Sequence, residues 1–308
     1  MRSILEAGDL KGKKVLVRVD WSAPLENGKI VDDFSIRKSL PTLEYLKNAG
    51  AEITLATHLE GEEIESLREF VPEGMKLLGN LRDNPGEKGN SEEFAKELAA
   101  QADIYVNEAF SVSHRRHASI VGVPKFLPGF IGLRFAEEIN QLSRVFNPER
   151  PFLLILGGSK FKTKLPLVEK FLDIADEIFI GGMLAAEAVN MPISKNPKII
   201  FPIGDIAALD ANEETLALLQ EKIENSKFIL WNGPLGKYED GHKAGTLSLA
   251  KIIAESGKES IVGGGNTLAA IHELNLFDKF TFVSTGGGAM LQFLATGTLP
   301  GIEALSKK

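Results

Sequence analysis

Short, continuously apolar runs alternate with amphipathic stretches along almost the whole chain. Runs rich in Val, Ile, Leu and Phe lie at 14–19, 52–56, 104–106, 152–156, 177–180, 198–203, 227–230, 260–262 and 280–283. Continuous rather than alternating apolar character is the pattern of a strand buried on both faces. The stretches at 36–49, 91–101, 134–146, 165–175, 212–225, 245–256 and 267–274 carry helical spacing. Strand and helix in alternation predict parallel sheets with helices on both faces. A chain of 308 residues has room for about two such domains. The expected fold is therefore α/β, with two Rossmann-like domains. Asn147-Pro148-Glu149-Arg150-Pro151 places two prolines between a helix and a fresh strand, which marks a boundary. The predicted domains are 1–147 and 148–290, joined by the helix at 134–146 as a hinge.

The net charge of −7 argues against a non-specific nucleic-acid binder, which needs a basic surface. With no cysteine, disulfides, thiolate metal sites and cysteine nucleophiles are excluded. The first residues lack the apolar core of a signal peptide, and no apolar stretch approaches the ~20 residues of a membrane span. The expected location is cytoplasmic, with no nucleic-acid or membrane partner.

Glycine, at 30 residues, exceeds the usual ~7%, and the excess sits at strand ends. Five predicted strands of the second half run into Gly157-Gly158-Ser159-Lys160, Gly181-Gly182, Asn232-Gly233-Pro234-Leu235-Gly236, Gly263-Gly264-Gly265-Asn266-Thr267 and Gly286-Gly287-Gly288. Ligands of open parallel sheets bind outside the carboxyl ends of the strands. Glycine there lets phosphate approach the backbone, and the following helix offers free N–H groups. One such loop is ordinary turn chemistry; five in one domain point to a nucleotide crevice. Neither Gly-x-Gly-x-x-Gly nor Gly-x4-Gly-Lys-[Ser/Thr] is present, which weighs against dinucleotide dehydrogenases and P-loop ATPases. Lys160 and Lys164 are four residues apart and share a face on a helical first turn, where two ammonium groups call for an anion.

The first half collects cations instead. Asp20, His58 and the run His114-Arg115-Arg116-His117 follow predicted strands, and Arg82 follows Leu78-Gly79-Asn80-Leu81. Arginine forks and imidazoles at strand ends suit carboxylate and phosphate recognition. An anion site in one domain and a nucleotide site in the other fit phosphoryl transfer, where catalysis is largely positioning and charge stabilisation.

At this point the sequence resembles the phosphoglycerate kinase family, over almost the whole chain and in the family's order. The carrying segments are KKVLVRVDWSAP from Lys13, Thr57-His58-Leu59, 77–82, 109–119, LGGSKFKTK from Leu156, WNGPLGKYE from Trp231, VGGGNT from Val262 and STGGGA from Ser284. The resemblance implies reversible phosphoryl transfer between 1,3-bisphosphoglycerate and ADP, giving 3-phosphoglycerate and ATP with Mg²⁺, in a monomeric glycolytic enzyme. It implies that Asp20, His58, Arg82, His114 and Arg115 bind the triose acid and that Lys160 stabilises the transferring group. Lys164 and Asn232 would contact nucleotide phosphates and Glu239 the ribose, with Gly264, Gly265 and Thr267 lining the phosphate end. Residues 291–308 would return to the first domain.

Some family positions differ. Ser35 stands where a catalytic arginine is expected, with Lys38 on a similar helix face. Ser22 replaces an asparagine, Gly61 an arginine and Asn266 an aspartate near Mg²⁺; Asp210-Ala211-Asn212 replaces Asp-Ile-Gly-Pro. The chain is shorter than usual members, with deletions after Leu59 and Ala186. A nucleotide- and phosphate-binding homologue with little activity, or a kinase for another small carboxylate, would share the same loops.

Overall fold

The computed structural model describes residues 1–308 except 23, 24, 27, 28, 31, 32, 60–63, 160, 307 and 308, and gives residues 25, 26, 29 and 161–163 as backbone only. The chain divides into two compact units. Unit 1 is Met1–Asn140 with Thr296–Lys308, and unit 2 is Gln141–Ala295.

In unit 1 the strands are β1 (Lys14–Arg18), the short antiparallel pair β2 (Leu25–Glu26) and β3 (Lys29–Ile30), β4 (Glu52–Ala56), β5 (Lys76–Leu77), β6 (Ile104–Asn107) and β7 (Gly129–Ile131). The main sheet runs in the order β5-β4-β1-β6-β7, all parallel. Its helices are α1 (Phe34–Asn48), α2 (Pro85–Lys88), α3 (Glu92–Ala99), α4 (Leu133–Ser143), whose last residues belong to unit 2, and α11 (Pro300–Ser306) near the C-terminus. Asn84 and Ser91 cap α2 and α3 by accepting backbone N–H bonds, which satisfies donors that a helix start leaves open. Val15, Val17, Leu55 and Val106 are buried in this sheet and pack with Leu43 and Leu46 of α1.

In unit 2 the strands are β8 (Phe152–Leu156), β9 (Glu177–Ile180), β10 (Ile199–Ile200), β11 (Phe228–Asn232), β12 (Glu259–Gly263) and β13 (Phe282–Ser284). They form one parallel sheet in the order β10-β9-β8-β11-β12-β13. The helices are α5 (Phe161–Phe171), α6 (Met183–Ala188), α7 (Glu213–Asn225), α8 (Ala244–Ser256), α9 (Gly265–Glu273) and α10 (Gly288–Thr296). Every residue of β8 and β11 is buried, as continuous apolar runs require of a sheet covered on both faces.

The α/β class and the two parallel sheets are those the alternation predicts. Differences lie at the short elements. The two residues of β5 and the three of β7 are too few to show a period. The strand expected over 198–203 shrinks to Ile199–Ile200, ahead of Pro202. Helix α5 begins four residues before the predicted 165 and runs through Pro166. Among the described residues no helix is long and apolar enough to cross a membrane.

Candidate active site residues

Parallel register brings chemistry to one edge of each sheet. In unit 1 Arg18 is level with Ala56 on β4 and Asn107 on β6. The residues just beyond, Asp20, His58 and those after Glu108, therefore emerge side by side. Asp20 accepts hydrogen bonds from Ser22 Oγ at 2.8 Å and from the Ser111 hydroxyl. Its charge also acts on His114, which desolvation and then Arg115 hold below the usual imidazole range. His58 is buried and stacked on His117, with ring centroids 5.0 Å apart. Desolvation, Arg18, Arg115 and Arg82 lower its pKa, partly offset by Glu87. Asn80 ties the two neighbouring loops: its Oδ1 accepts from the backbone N–H of Leu59 at 2.9 Å and of Arg82 at 3.1 Å. The structure thus gathers Asp20, His58, Arg82, His114 and Arg115 at the carboxyl edge of one sheet. A net positive field with buried imidazoles can hold a phosphate or carboxylate.

In unit 2 Asn232 is level with Leu156 on β8 and Gly263 on β12, so the glycine loops also share an edge. The loops after β8 and β11 touch: a Cβ on Gly157 would lie 2.1 Å from Pro234 O, and one on Gly233 2.3 Å from Gly157 O. Only glycine permits this approach. Lys164 is buried between them and donates to Gly157 O and, at 3.3 Å, to Asn232 O. Desolvation lowers its pKa to about 8. Asn232 Nδ2 donates to Gly263 O at 2.9 Å, and Thr267 Oγ1 accepts the Gly233 N–H at 2.9 Å. Gly264, at φ +107°, leads into α9, which starts at Gly265. Glu239 lines a cleft of about 120 Å³ with Gly158, Ser159, Pro234, Tyr238 and Asn266. Lys164, Asn232 and Thr267 are thus bonded to the loop backbone beneath these glycines, while Glu239 borders the cleft. Lys160 and Gly61 lie outside the described residues.

Sequence reasoning did not reveal the burial of three charged groups of unit 1. Arg18, one of the strand-end cations beside Asp20, is 1% exposed, a burial that its place in an otherwise apolar run does not announce. Glu87 is wholly buried although its place after Asn84-Pro85 marks it as a first-turn acid of a surface helix. Glu108 is buried in the turn after β6, hidden by its position beside the apolar Ala109-Phe110. A charged residue that loses all contact with water needs tertiary partners, and a local pattern does not reveal those.

A cation-rich strand edge in one α/β unit and a glycine-walled cleft over a buried lysine in another define a small-molecule phosphotransferase of two-domain build. The sequence model of the family described as phosphoglycerate kinase matches residues 5–72, 60–192 and 190–297. The chain belongs to the phosphoglycerate kinase family. The phosphoglycerate kinase of Dictyoglomus turgidum is 36% identical to it, over 97% of each chain, and that of Leptospira biflexa is 35% identical, over 99% of this chain and 98% of the other. The Dictyoglomus alignment spans 384 positions, more than the 308 residues present here, so this chain lacks segments that the relative has. The family match is broken into pieces that meet at 60–72 and 190–192, near the shortenings expected after Leu59 and Ala186. Among solved structures, phosphoglycerate kinase from Coxiella burnetii superposes with a TM-score of 0.82 at 30% identity, over 99% of this chain and 98% of that one. The Pyrococcus horikoshii enzyme gives 0.85 at 26% identity, with the same coverage.

Proposed function

We propose that this member of the family transfers a phosphoryl group reversibly between 1,3-bisphosphoglycerate and ADP, as a monomer in the cytoplasm and as a step of glycolysis. The observation that carries the reading is the convergence of Asp20, His58, Arg82, His114 and Arg115 on one sheet edge. The guanidinium groups of Arg82 and Arg115, beside the imidazoles of His58 and His114, suit an acid bearing both carboxylate and phosphate. Unit 1 is read as the triose-acid domain, with residues after Thr296 as its C-terminal part, and unit 2 as the nucleotide domain.

In unit 2 the backbone N–H groups at the start of α9 and the glycine loops favour nucleotide phosphates. Lys164 and Asn232 hold those loops in shape and supply polar groups beneath them. Glu239, bordering the cleft, suits the ribose hydroxyls, and Gly264, Gly265 and Thr267 the phosphate end. Lys160 is assigned the charge that develops on the transferring group. Mg²⁺ would neutralise phosphate charge when bound. Asn266 on the cleft wall offers it a neutral oxygen, which fits an ion held mainly by the nucleotide and water.

The test is coupled ATP synthesis from ADP and 1,3-bisphosphoglycerate, with Lys160→Ala as control. Turnover that collapses in Lys160→Ala supports the kinase. No turnover in the wild-type chain, with ADP binding intact by calorimetry, refutes it in favour of a binding protein. Turnover with another small carboxylate alone would reassign the substrate.

A further inference from the structure

Two imidazoles at the unit 1 strand ends converge on a carboxylate. Glu87 Oε1 lies 3.6 Å from His58 Nδ1 and 3.6 Å from His117 Nδ1. At that length neither contact is a hydrogen bond, and among the described residues neither Nδ1 has another partner. His58 Nε2 is likewise buried without one. The two rings are stacked with an interplanar angle of 17°. Glu87 itself is pinned: Ser119 donates to Oε2 through its backbone N–H at 2.9 Å and to Oε1 through its hydroxyl at 2.6 Å. The Ser119 hydroxyl in turn accepts from Arg18 Nε at 2.9 Å.

The ligand atoms of His58, Glu87 and His117 lie within 4.8 Å of one another, a spacing open to a metal ion. The surrounding charge opposes one. Arg18, Arg115 and Arg82 all act on His58, and a dication would join three guanidinium groups against a single carboxylate. The same field favours an anion.

We propose that Glu87 is a positioning residue of the triose-acid site: its shared carboxylate oxygen holds the Nδ1 atoms of His58 and His117 ready to take a proton from solvent when the anionic substrate binds. The inference rests on reading unit 1 as the acid-binding domain. The charged groups facing the ring pair are Arg18 at the end of β1, Arg82 in the turn after β5, Arg115 in the loop after β6 and Glu87 in α2. Without an anion, burial holds both rings low despite Glu87, His117 at about 4, so both are neutral near pH 7. A bound phosphate or carboxylate offsets the guanidinium charge. The proton then enters at an Nδ1 that already faces a carboxylate. No substrate bond changes in this step; the proton comes from the buffer.

Calorimetry of 3-phosphoglycerate binding to the full chain, at pH 6.5 in two buffers of different ionisation enthalpy, counts the protons taken up. Side-chain ¹⁵N correlation spectra follow the ring titrations. The expected wild-type uptake is on the order of a few tenths of a proton. Glu87→Gln keeps the size and removes the charge; it should lower the uptake by about threefold or more and shift both ring titrations to lower pH. Equal uptake with unmoved titrations overturns the proposal. If Glu87→Gln does not fold, His117→Gln decides: reduced uptake supports the shared pair and unchanged uptake overturns it. No 3-phosphoglycerate binding by the wild type, with ADP binding intact, overturns the acid-site reading instead. The ring titrations of unliganded Glu87→Gln then still settle whether the carboxylate governs the rings.

Discussion

Thr42 and Glu108 are joined where α1 meets the start of α4: the Thr42 hydroxyl donates to Glu108 Oε1 and accepts the Leu133 N–H at 2.8 Å. Glu108 also accepts the N–H groups of Arg134 at 3.1 Å and Phe135 at 3.3 Å. One buried carboxyl thus serves backbone donors that a helix N-terminus leaves open. Gly132 makes room for it, because a Cβ there would lie 1.9 Å from Glu108 Oε2.

Removing that side chain strands two helix N–H groups and the Thr42 hydroxyl. Leaving buried donors unpaired costs about 1–3 kcal/mol, and the emptied volume adds to it. Glu108→Ala is therefore expected to lose about 2–4 kcal/mol of stability, read as a lower urea midpoint with little change in slope. A midpoint equal to the wild type would show that the cap contributes nothing.

Glu108 and His117 make opposite contributions to the pH dependence of stability. Burial pushes Glu108 up to about 7 from 4.5, so the native state binds its proton more tightly than the unfolded chain. That contribution is complete below about 4.5 and is lost as pH rises through about 7. Burial pushes His117 down to about 4 from 6.5, so its contribution is complete above about 6.5 and is lost as pH falls towards 4. In Glu108→Gln the decline above 4.5 should vanish and the rise from His117 should be unmasked. Urea denaturation from pH 4 to 8 checks this, and parallel wild-type and variant curves would contradict it.

Much of this fold is legible because its strands are buried on both faces. The run FLLIL of β8 has one reading as a core strand, and Asn212 announces the start of α7. The strand-end loops are legible for the same reason: Gly157 and Gly233 must be glycines where two backbones touch. Sheet order is not legible, since β11 pairs with β8 across two intervening strands. The buried charges are hidden too. Glu87 has its partners at Ser119, His58 and His117, tens of residues away, and nothing in Asn84-Pro85-Gly86-Glu87 encodes them.

Lys164 should matter to both folding and nucleotide binding. Its ammonium bridges Gly157 O and Asn232 O, so Lys164→Met leaves two carbonyls of the loops without that donor. The expected stability loss is about 1–3 kcal/mol. ADP affinity should fall by about tenfold or more through loss of a charged donor and of loop geometry. Calorimetric ADP titration of folded Lys164→Met gives the answer, and unchanged affinity would restrict Lys164 to a structural role.

Asp20 is held by hydroxyls on both carboxylate oxygens, Ser22 on Oδ1 and Ser111 on Oδ2. Ser22 stands where the resemblance expects asparagine, and Ser111 fixes the carboxylate from the loop that also carries His114. Ser111→Ala frees Oδ2 and should raise the KM for 3-phosphoglycerate by about 3–10-fold, the worth of one hydrogen bond of about 1 kcal/mol. The KM for ATP should stay unchanged. Equal effects on both substrates would point to general loosening instead of a placed carboxylate.

Ser35 offers the sharpest test of the chemistry. It sits half-buried in the first turn of α1, at the position where the resemblance expects an arginine. The nearby cations are engaged elsewhere: Arg37 Nε pairs with Asp33 at 2.8 Å, and Lys38 Nζ lies 5.3 Å from the Phe34 ring centroid. An arginine stabilising transition-state charge in phosphoryl transfer contributes about 10³–10⁵ in rate. Ser35→Arg is therefore expected to raise kcat by about tenfold or more, with little change in either KM, because the gain arises in the transition state. The coupled assay at saturating substrates measures it. An unchanged kcat would mean that another cation already supplies this charge; Lys38, three residues on, should then lose kcat on replacement by alanine.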